Sequence, residues 1–287
     1  MSLSLHYLVK EPKIKKDKNP LLLLLHGYGS NEEDLFSFAN ELPEEYYVIS
    51  ARAPYDMMYG SYAWYAINFD ADENKFSNNE QAKESLQLIS NFIDEISEKL
   101  PLDKSNISLI GFSQGAILSY ATALTYPEKI AAAVALCGGG NLSDACNLTK
   151  TNIWIQHGKL DKAVKHSESE KMYEAIKACD SDAICYFTSY PNADHGDLAS
   201  EFYRDEIYDW MFQFALNQDS KKMDQLKIES SKIFSKSGVD YGKTLNKTIE
   251  SNANEDFPEP ERPTKKTNSP FWISIFTESR AARSCFG

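Results

Sequence analysis

Ser113 stands in Gly111-Phe112-Ser113-Gln114-Gly115, after the apolar run Asn106-Ile107-Ser108-Leu109-Ile110 and before the small-residue segment Ala116-Ile117-Leu118-Ser119-Tyr120-Ala121. A serine hydroxyl is a weak nucleophile unless a sharp turn exposes it and a base lies beside it. Glycines two positions before and after permit that turn and let a strand and a helix pass close together. G-x-S-x-G by itself arises by chance in many chains. Placed between a strand pattern and a helix pattern, it predicts an activated nucleophile, which needs a base, a carboxylate to orient the base, and N–H donors for the oxygen that becomes charged.

The chain supplies a candidate for each role. His195 lies in the polar stretch Pro191-Asn192-Ala193-Asp194-His195-Gly196-Asp197, after the last strand pattern, where an imidazole can reach a serine on a neighbouring loop. Asp161 follows the strand pattern Ile153–Gln156 and falls between Ser113 and His195, which gives the chain order nucleophile, acid, base. Asp194 and Asp197 are rivals, but a carboxylate one or two residues from a histidine rarely points back at its ring. The Gln114 N–H, just past the nucleophile, is one oxyanion donor. The Tyr28 N–H is the second, because His26-Gly27-Tyr28-Gly29-Ser30 directly follows the apolar run Leu21–Leu25 and its two glycines permit the required turn. Each such donor is worth about 3 kcal/mol of transition-state stabilisation. His26 and His157 are read as structural histidines that bond loop backbone.

The stretch Met57-Met58-Tyr59-Gly60-Ser61-Tyr62-Ala63-Trp64-Tyr65 is rich in aromatic and thioether groups. Two readings stand. Met57, Met58, Tyr62 and Trp64 line an apolar substrate pocket, or they pack in the core.

These residues need a scaffold, and the chain alternates strand-like and helix-like segments up to Asn217, the pattern of a mostly parallel α/β sheet with helices on both faces. Strands are expected over Ser4–Val9, Leu21–Leu25, Tyr46–Ala51, Ile107–Ile110, Ala132–Cys137, Ile153–Gln156 and Ile184–Ser189. Helices are expected over Asn31–Glu41, Asn79–Leu100, Gln114–Thr125, His166–Ala178 and Leu198–Leu216. Residues 1–217 are read as one catalytic domain. Residues 218–287 are polar, with Pro258, Pro260 and Pro263 in a charged stretch, and are expected to be largely disordered.

Composition narrows the partners. The net charge of −12 divides into −14 over residues 1–217 and +2 over residues 218–287, so no clustered cationic surface for nucleic acid is expected. No apolar run reaches the roughly 18 residues of a membrane span, and the N-terminal residues lack a secretory pattern, so a cytoplasmic location is expected. The five cysteines are odd in number and scattered, and are read as unpaired thiols with no metal site. A homodimer is compatible with the sequence.

Leu25-His26-Gly27-Tyr28-Gly29-Ser30-Asn31, Gly111-Phe112-Ser113-Gln114-Gly115-Ala116, His157-Gly158 with Asp161 and Val164, and His195-Gly196 together resemble the phospholipase/carboxylesterase family, the small α/β-hydrolases that include acyl-protein thioesterases. The resemblance spans roughly residues 5–217. It implies an α/β-hydrolase fold, a Ser113-Asp161-His195 triad, an oxyanion hole from the Tyr28 and Gln114 amides, and no metal or organic cofactor. The implied activity is hydrolysis of a small-molecule ester of short to medium acyl chain. The alternatives are an acyl-thioesterase or lysophospholipase activity, or a non-catalytic scaffold that binds a small ligand or partner.

Overall fold

The computed structural model describes residues 3–69, 75–139, 151–179 and 185–199. The helix expected over 198–216, the boundary near 217 and the segment 218–287 lie outside the described residues from residue 200 onward.

The strands are β1 (Tyr7–Lys10), β2 (Asn19–Leu25), β3 (Tyr47–Ala51), β4 (Tyr55–Asp56), β5 (Tyr62–Ala63), β6 (Ile67–Phe69), β7 (Lys75–Ser77), β8 (Leu102–Phe112), β9 (Ala132–Leu136), β10 (Asn152–Gly158) and β11 (Cys185–Tyr190). The helices are α1 (Glu33–Phe36), α2 (Asn79–Lys99), α3 (Gln114–Thr125) and α4 (His166–Lys177), with 3₁₀ turns at Ala39–Glu41 and Asp197–Ala199. Seven strands form one sheet in the order β1-β3-β2-β8-β9-β10-β11. Every neighbouring pair is parallel except β1 with β3.

Leu21 to Leu25 shows why the sheet has two buried faces. Leu21, Leu23 and Leu25 join an apolar cluster with Ile89, Phe92 and Ile93 of α2, Leu118 of α3 and Met172 of α4. Leu22 and Leu24 point the other way, toward Leu35 of α1 and Leu198. A strand covered on both faces must be apolar at every position, hence the unbroken leucine run.

The chain runs from β2 outward to β3 and from β8 outward to β9, so the order reverses between β2 and β8. Open α/β sheets bind their ligands in the crevice at such a reversal, beyond the strand C-termini. Leu25 pairs with Gly111 there, which brings the loop after β2 and the turn after β8 out of the sheet side by side.

Three elements differ from the sequence reading. The helix expected over 31–41 is only one turn, α1, followed by a 3₁₀ turn. The Ser37 hydroxyl bonds the Asp34 carbonyl at 2.7 Å, offering the backbone a competing partner. The connection from 55 to 77 holds two ribbons, β4 with β5 and β6 with β7, whose strands of two or three residues are too short to show a periodicity. Cys179 is disulfide-bonded, whereas Cys137 and Cys185 are free. Pairing depends on the approach of distant segments, which cysteine spacing does not encode. Among the described residues, no helix is long and apolar enough to cross a membrane.

The end of β3 is clamped to the start of α1. Arg52 Nε donates to Glu32 Oε2 at 2.7 Å, its Nη2 bonds Glu32 Oε1, and His6 Nδ1 lies 3.5 Å from the same oxygen. Burial alone would raise the Glu32 carboxyl, but the Arg52 hydrogen bonds outweigh it and hold the group below its ordinary range.

A carboxyl depressed in the fold adds stability that is complete above its unfolded-state value and is lost as pH falls through the folded one. Urea midpoints followed from about pH 6 to about pH 3 will therefore fall less steeply for Glu32→Gln than for the parent chain. A side chain at Gly115 would place Cβ 1.9 Å from the Leu25 carbonyl oxygen. Gly115→Ala will cost about 3 kcal/mol in thermal unfolding. Gly60→Ala, at φ +76° with open space around it, will cost about 1 kcal/mol.

Candidate active site

Ser113 sits between β8 and α3 at φ 53° and ψ −112°, a left-handed backbone that a non-glycine residue rarely adopts. The crossing around it is too tight for side chains. A Cβ at Gly111 would lie 2.1 Å from the Gly115 carbonyl oxygen, and one at Gly115 would strike Leu25 as described above. The Ser113 N–H is tied to the Leu136 carbonyl of β9 at 2.9 Å, and its own carbonyl accepts from the Ile117 N–H at 3.1 Å. The strained residue is held from both sides.

His195 Nε2 lies 2.9 Å from Ser113 Oγ, and His195 Nδ1 lies 2.6 Å from Asp161 Oδ2. The Asp161 and His195 loops are stitched together by Lys159 N–H to Tyr190 O at 2.8 Å and Leu160 N–H to Ala193 O at 3.0 Å. Asp194 and Asp197 shape the turn around the imidazole. Asp194 Oδ1 accepts from the Gly196 and Asp197 N–H groups at 2.9 and 3.2 Å, and Asp197 Oδ2 accepts from the Asp194 N–H at 2.8 Å.

Asp161 is buried, with Oδ1 accepting from the Ala163 and Val164 N–H groups at 2.8 and 2.9 Å. Burial would raise its carboxyl, but hydrogen bonds from His157 and His195 more than offset that and keep it well below the usual carboxylate range. An ionised Asp161 beside Nδ1 requires the His195 proton there. That leaves the Nε2 lone pair for the serine hydroxyl.

The N–H groups of Tyr28 and Gln114 have no acceptor among the described residues, and Gln114 begins α3, where the helix dipole favours negative charge. Both amides are positioned by a buried polar network. Gln114 Oε1 accepts from the Trp64 N–H at 3.1 Å, and its Nε2 donates to the Tyr65 carbonyl at 2.7 Å. The Trp64 indole donates to the His26 carbonyl at 2.9 Å. His26 is fully buried, with Nδ1 2.8 Å from the Gly27 carbonyl and Nε2 accepting from the Ala53 N–H at 3.1 Å. Burial pushes its pKa down to about 4, so the ring is neutral with the proton on Nδ1.

The hairpin β4–β5 runs beside this loop. The Gly29 N–H donates to the Tyr62 carbonyl at 2.9 Å, the Tyr62 N–H to the Ser30 carbonyl at 2.7 Å, and Asn31 Nδ2 to the Gly60 carbonyl at 3.0 Å. Met57 and Tyr62 are half-buried, and Met58 is 68% exposed at the tip. Trp64 has no exposed surface and belongs to the core.

Two neighbours of Asp161 escaped the sequence reading. His157, expected to bond only backbone, also sets Nε2 3.0 Å from Asp161 Oδ2. The signal available was the four-residue interval in His157-Gly158-Lys159-Leu160-Asp161, which has meaning only once the loop doubles back. Cys137 follows β9 at φ 54°, its N–H bonded to the Gln156 carbonyl at 2.8 Å. Burial first, then the Asp161 carboxylate, push its thiol well above the usual range, so it stays a neutral S–H. Cys137, Asp161 and His195 hold three donor atoms within 4.8 Å of one another. The imidazole and the carboxylate are already bonded to each other and the thiol keeps its proton, a donor set suited to relaying protons and not to gripping a cation.

Comparisons with known proteins agree with this architecture. The chain is 24% identical over 201 residues to the Bacillus subtilis (strain 168) protein named "Putative hydrolase MhqD", covering 67% of this chain and 96% of that one. Among solved structures it resembles esterase PE8, with a TM-score of 0.61 at 21% identity over 72% of this chain and 98% of the other. It also resembles acyl-protein thioesterase 2 of Zea mays, with a TM-score of 0.55 at 20% identity over 72% and 97%. At these identities the likeness concerns the α/β-hydrolase fold. The family model described as Phospholipase/Carboxylesterase matches residues 7–204, well over half the chain and every strand of the main sheet, and the chain therefore belongs to the phospholipase/carboxylesterase family of hydrolases.

Proposed function

We propose that this chain is a serine esterase that hydrolyses carboxylic esters of short to medium acyl chains through an acyl-enzyme intermediate. The observation that carries the reading is the unbroken relay from Ser113 Oγ through His195 to Asp161, at 2.9 and 2.6 Å, beside two N–H groups without an acceptor.

In this reaction His195 Nε2 takes the Ser113 hydroxyl proton as Oγ attacks the ester carbonyl carbon. The carbonyl π pair moves to its oxygen, and the resulting oxyanion accepts hydrogen bonds from the Tyr28 and Gln114 N–H groups. When that pair returns, the bond to the alcohol breaks and the His195 Nε2–H protonates the departing oxygen. Water then attacks the acyl-serine, His195 takes its proton, and collapse returns that proton to Ser113 Oγ as the acid leaves. Asp161 stays ionised throughout and steadies the imidazolium that forms in each half-reaction.

Met57, Met58 and Tyr62 are assigned to the acyl or alcohol group, because their hairpin is bonded directly to the loop that carries the Tyr28 amide. Trp64 supports that surface from behind without lining it. A few apolar side chains on one hairpin suit short and medium acyl groups better than long ones. Thioester hydrolysis would use the same relay, and the structural likeness to the maize thioesterase makes it the second reading. It differs only in the leaving group.

Ser113→Ala will lower kcat on p-nitrophenyl butyrate by about 10⁴-fold or more, and Asp161→Asn by about 10⁴-fold. A fluorophosphonate will add its mass to the parent chain at Ser113 and to neither variant at a comparable rate. Parent-level turnover by Ser113→Ala would sink the mechanism, and an unlabelled parent chain would favour the non-catalytic scaffold. Met58→Ser will raise KM for a hexanoyl ester about fivefold while leaving the acetyl ester unchanged, as expected for about 1 kcal/mol of lost apolar contact. Its melting temperature will stay at the parent value, since Met58 is exposed.

A further inference from the structure

We infer that His157 is a positioning residue for this reaction, holding Asp161 Oδ2 in the line of His195 Nδ1; the inference rests on the triad reading above. Four nitrogen contacts of Asp161 divide two and two between its oxygens, but differ in kind. Oδ1 takes two backbone N–H groups of its own loop, from Ala163 and Val164, which fix one end of the carboxylate. Oδ2 takes only side chains, His195 at 2.6 Å and His157 at 3.0 Å. Without His157 the carboxylate could swing about its tethered Oδ1, held beside His195 only by the neutral Cys137 thiol, a weak donor. That histidine sits on a loop and must move its proton twice per turnover.

His157 is well built for such a task. It has no exposed surface, so packing on every side holds its ring in place. Nε2 faces two acceptor oxygens at 3.0 Å, Asp161 Oδ2 and the Val164 carbonyl, and only an Nε2–H makes both contacts favourable. The opposite edge faces Ser169 of α4, whose Oγ lies 2.7 Å from Nδ1 and 2.5 Å from the Gly138 carbonyl beyond β9 and gives its one proton to either acceptor. The ring thus links three elements, the end of β10, helix α4 and the segment after β9, to a single carboxylate oxygen. A histidine needed only to satisfy its loop would have been served by Val164 and Ser169.

Two substitutions separate the roles. The amide nitrogen of His157→Gln reaches the place of Nε2 and can still donate to Asp161. The amide of His157→Asn reaches only the place of Nδ1 and can still meet Ser169. Both lose one tether, so both should lower the melting temperature to a similar extent. On p-nitrophenyl butyrate, His157→Gln will keep kcat within about threefold of the parent. His157→Asn will lose about tenfold or more in kcat with KM within about twofold, the scale seen when the partner of a functional ligand is removed. The low-field proton resonance of His195 Nδ1–H will persist in the first variant and shift or vanish in the second. Equal kcat for the two variants, or an unchanged His195 resonance in His157→Asn, would overturn the inference. Should either variant fail to fold, nitrogen-15 imidazole spectra of Asp161→Asn decide: His157 Nε2 must move together with His195, and a stationary His157 signal overturns it. These spectra need no turnover, so an inactive parent chain would defeat the esterase reading while leaving the His157 contact to be judged on its own.

Discussion

Everything in this site depends on one close backbone crossing. Where β8 turns into α3, the first turn of the helix passes over the end of β2 with no room for a Cβ at Gly111 or Gly115. That approach forces Ser113 into a left-handed conformation costing about 1–3 kcal/mol, and it lifts the side chain clear of the sheet. It also sets the Gln114 amide beside the loop leaving β2, because Leu25 and Gly111 are paired neighbours in the register. The Ser113 side chain and the Tyr28 and Gln114 N–H groups are thus brought together by a single geometric constraint. The strain is sustained by the two apolar clusters that clamp the sheet from above and below.

Around that crossing, buried polar side chains do the orienting. On one side, His26, Trp64 and Gln114 form a chain of hydrogen bonds that fixes the loop after β2 to the start of α3. On the other, Asp161 and His157 join the loop after β10 to α4. Both networks are enclosed, where a hydrogen bond is strong and a lost partner is expensive. The two histidines with the least exposure, His26 and His157, brace the loops. His195, by contrast, is partly exposed, with Nε2 beside Ser113 Oγ.

The Glu32–Arg52 pair extends the same logic outward. It binds the end of β3 to the entry of α1, and the segment between Gly27 and Glu32 therefore has fixed ends. The β4–β5 hairpin lies against this segment through Gly29, Ser30 and Asn31, which makes the apolar side chains of the hairpin neighbours of the Tyr28 amide. The hairpin side chains and the Tyr28 amide therefore belong to one mechanically coupled surface. A change in the hairpin can therefore be felt at the Tyr28 amide.

Local chemistry was enough to make the framework legible. The leucine run had to be a doubly buried strand, and the two glycines around Ser113 had to permit a tight strand-to-helix turn. The order Ser113, Asp161, His195 named the residues that would have to meet. These are properties of a few neighbouring positions, and a linear pattern carries them in full. The one-turn α1, the ribbons between residues 55 and 77, the disulfide of Cys179 and the burial of Trp64 were beyond such reading, since each depends on what a distant segment presents to it. The second histidine on Asp161 is the clearest instance: His157 stands near the end of β10 and Asp161 four residues on in the loop that follows, where no period relates them. Only the folded path of that loop, fixed by β11 and α4, brings Asp161 Oδ2 to both His157 and His195.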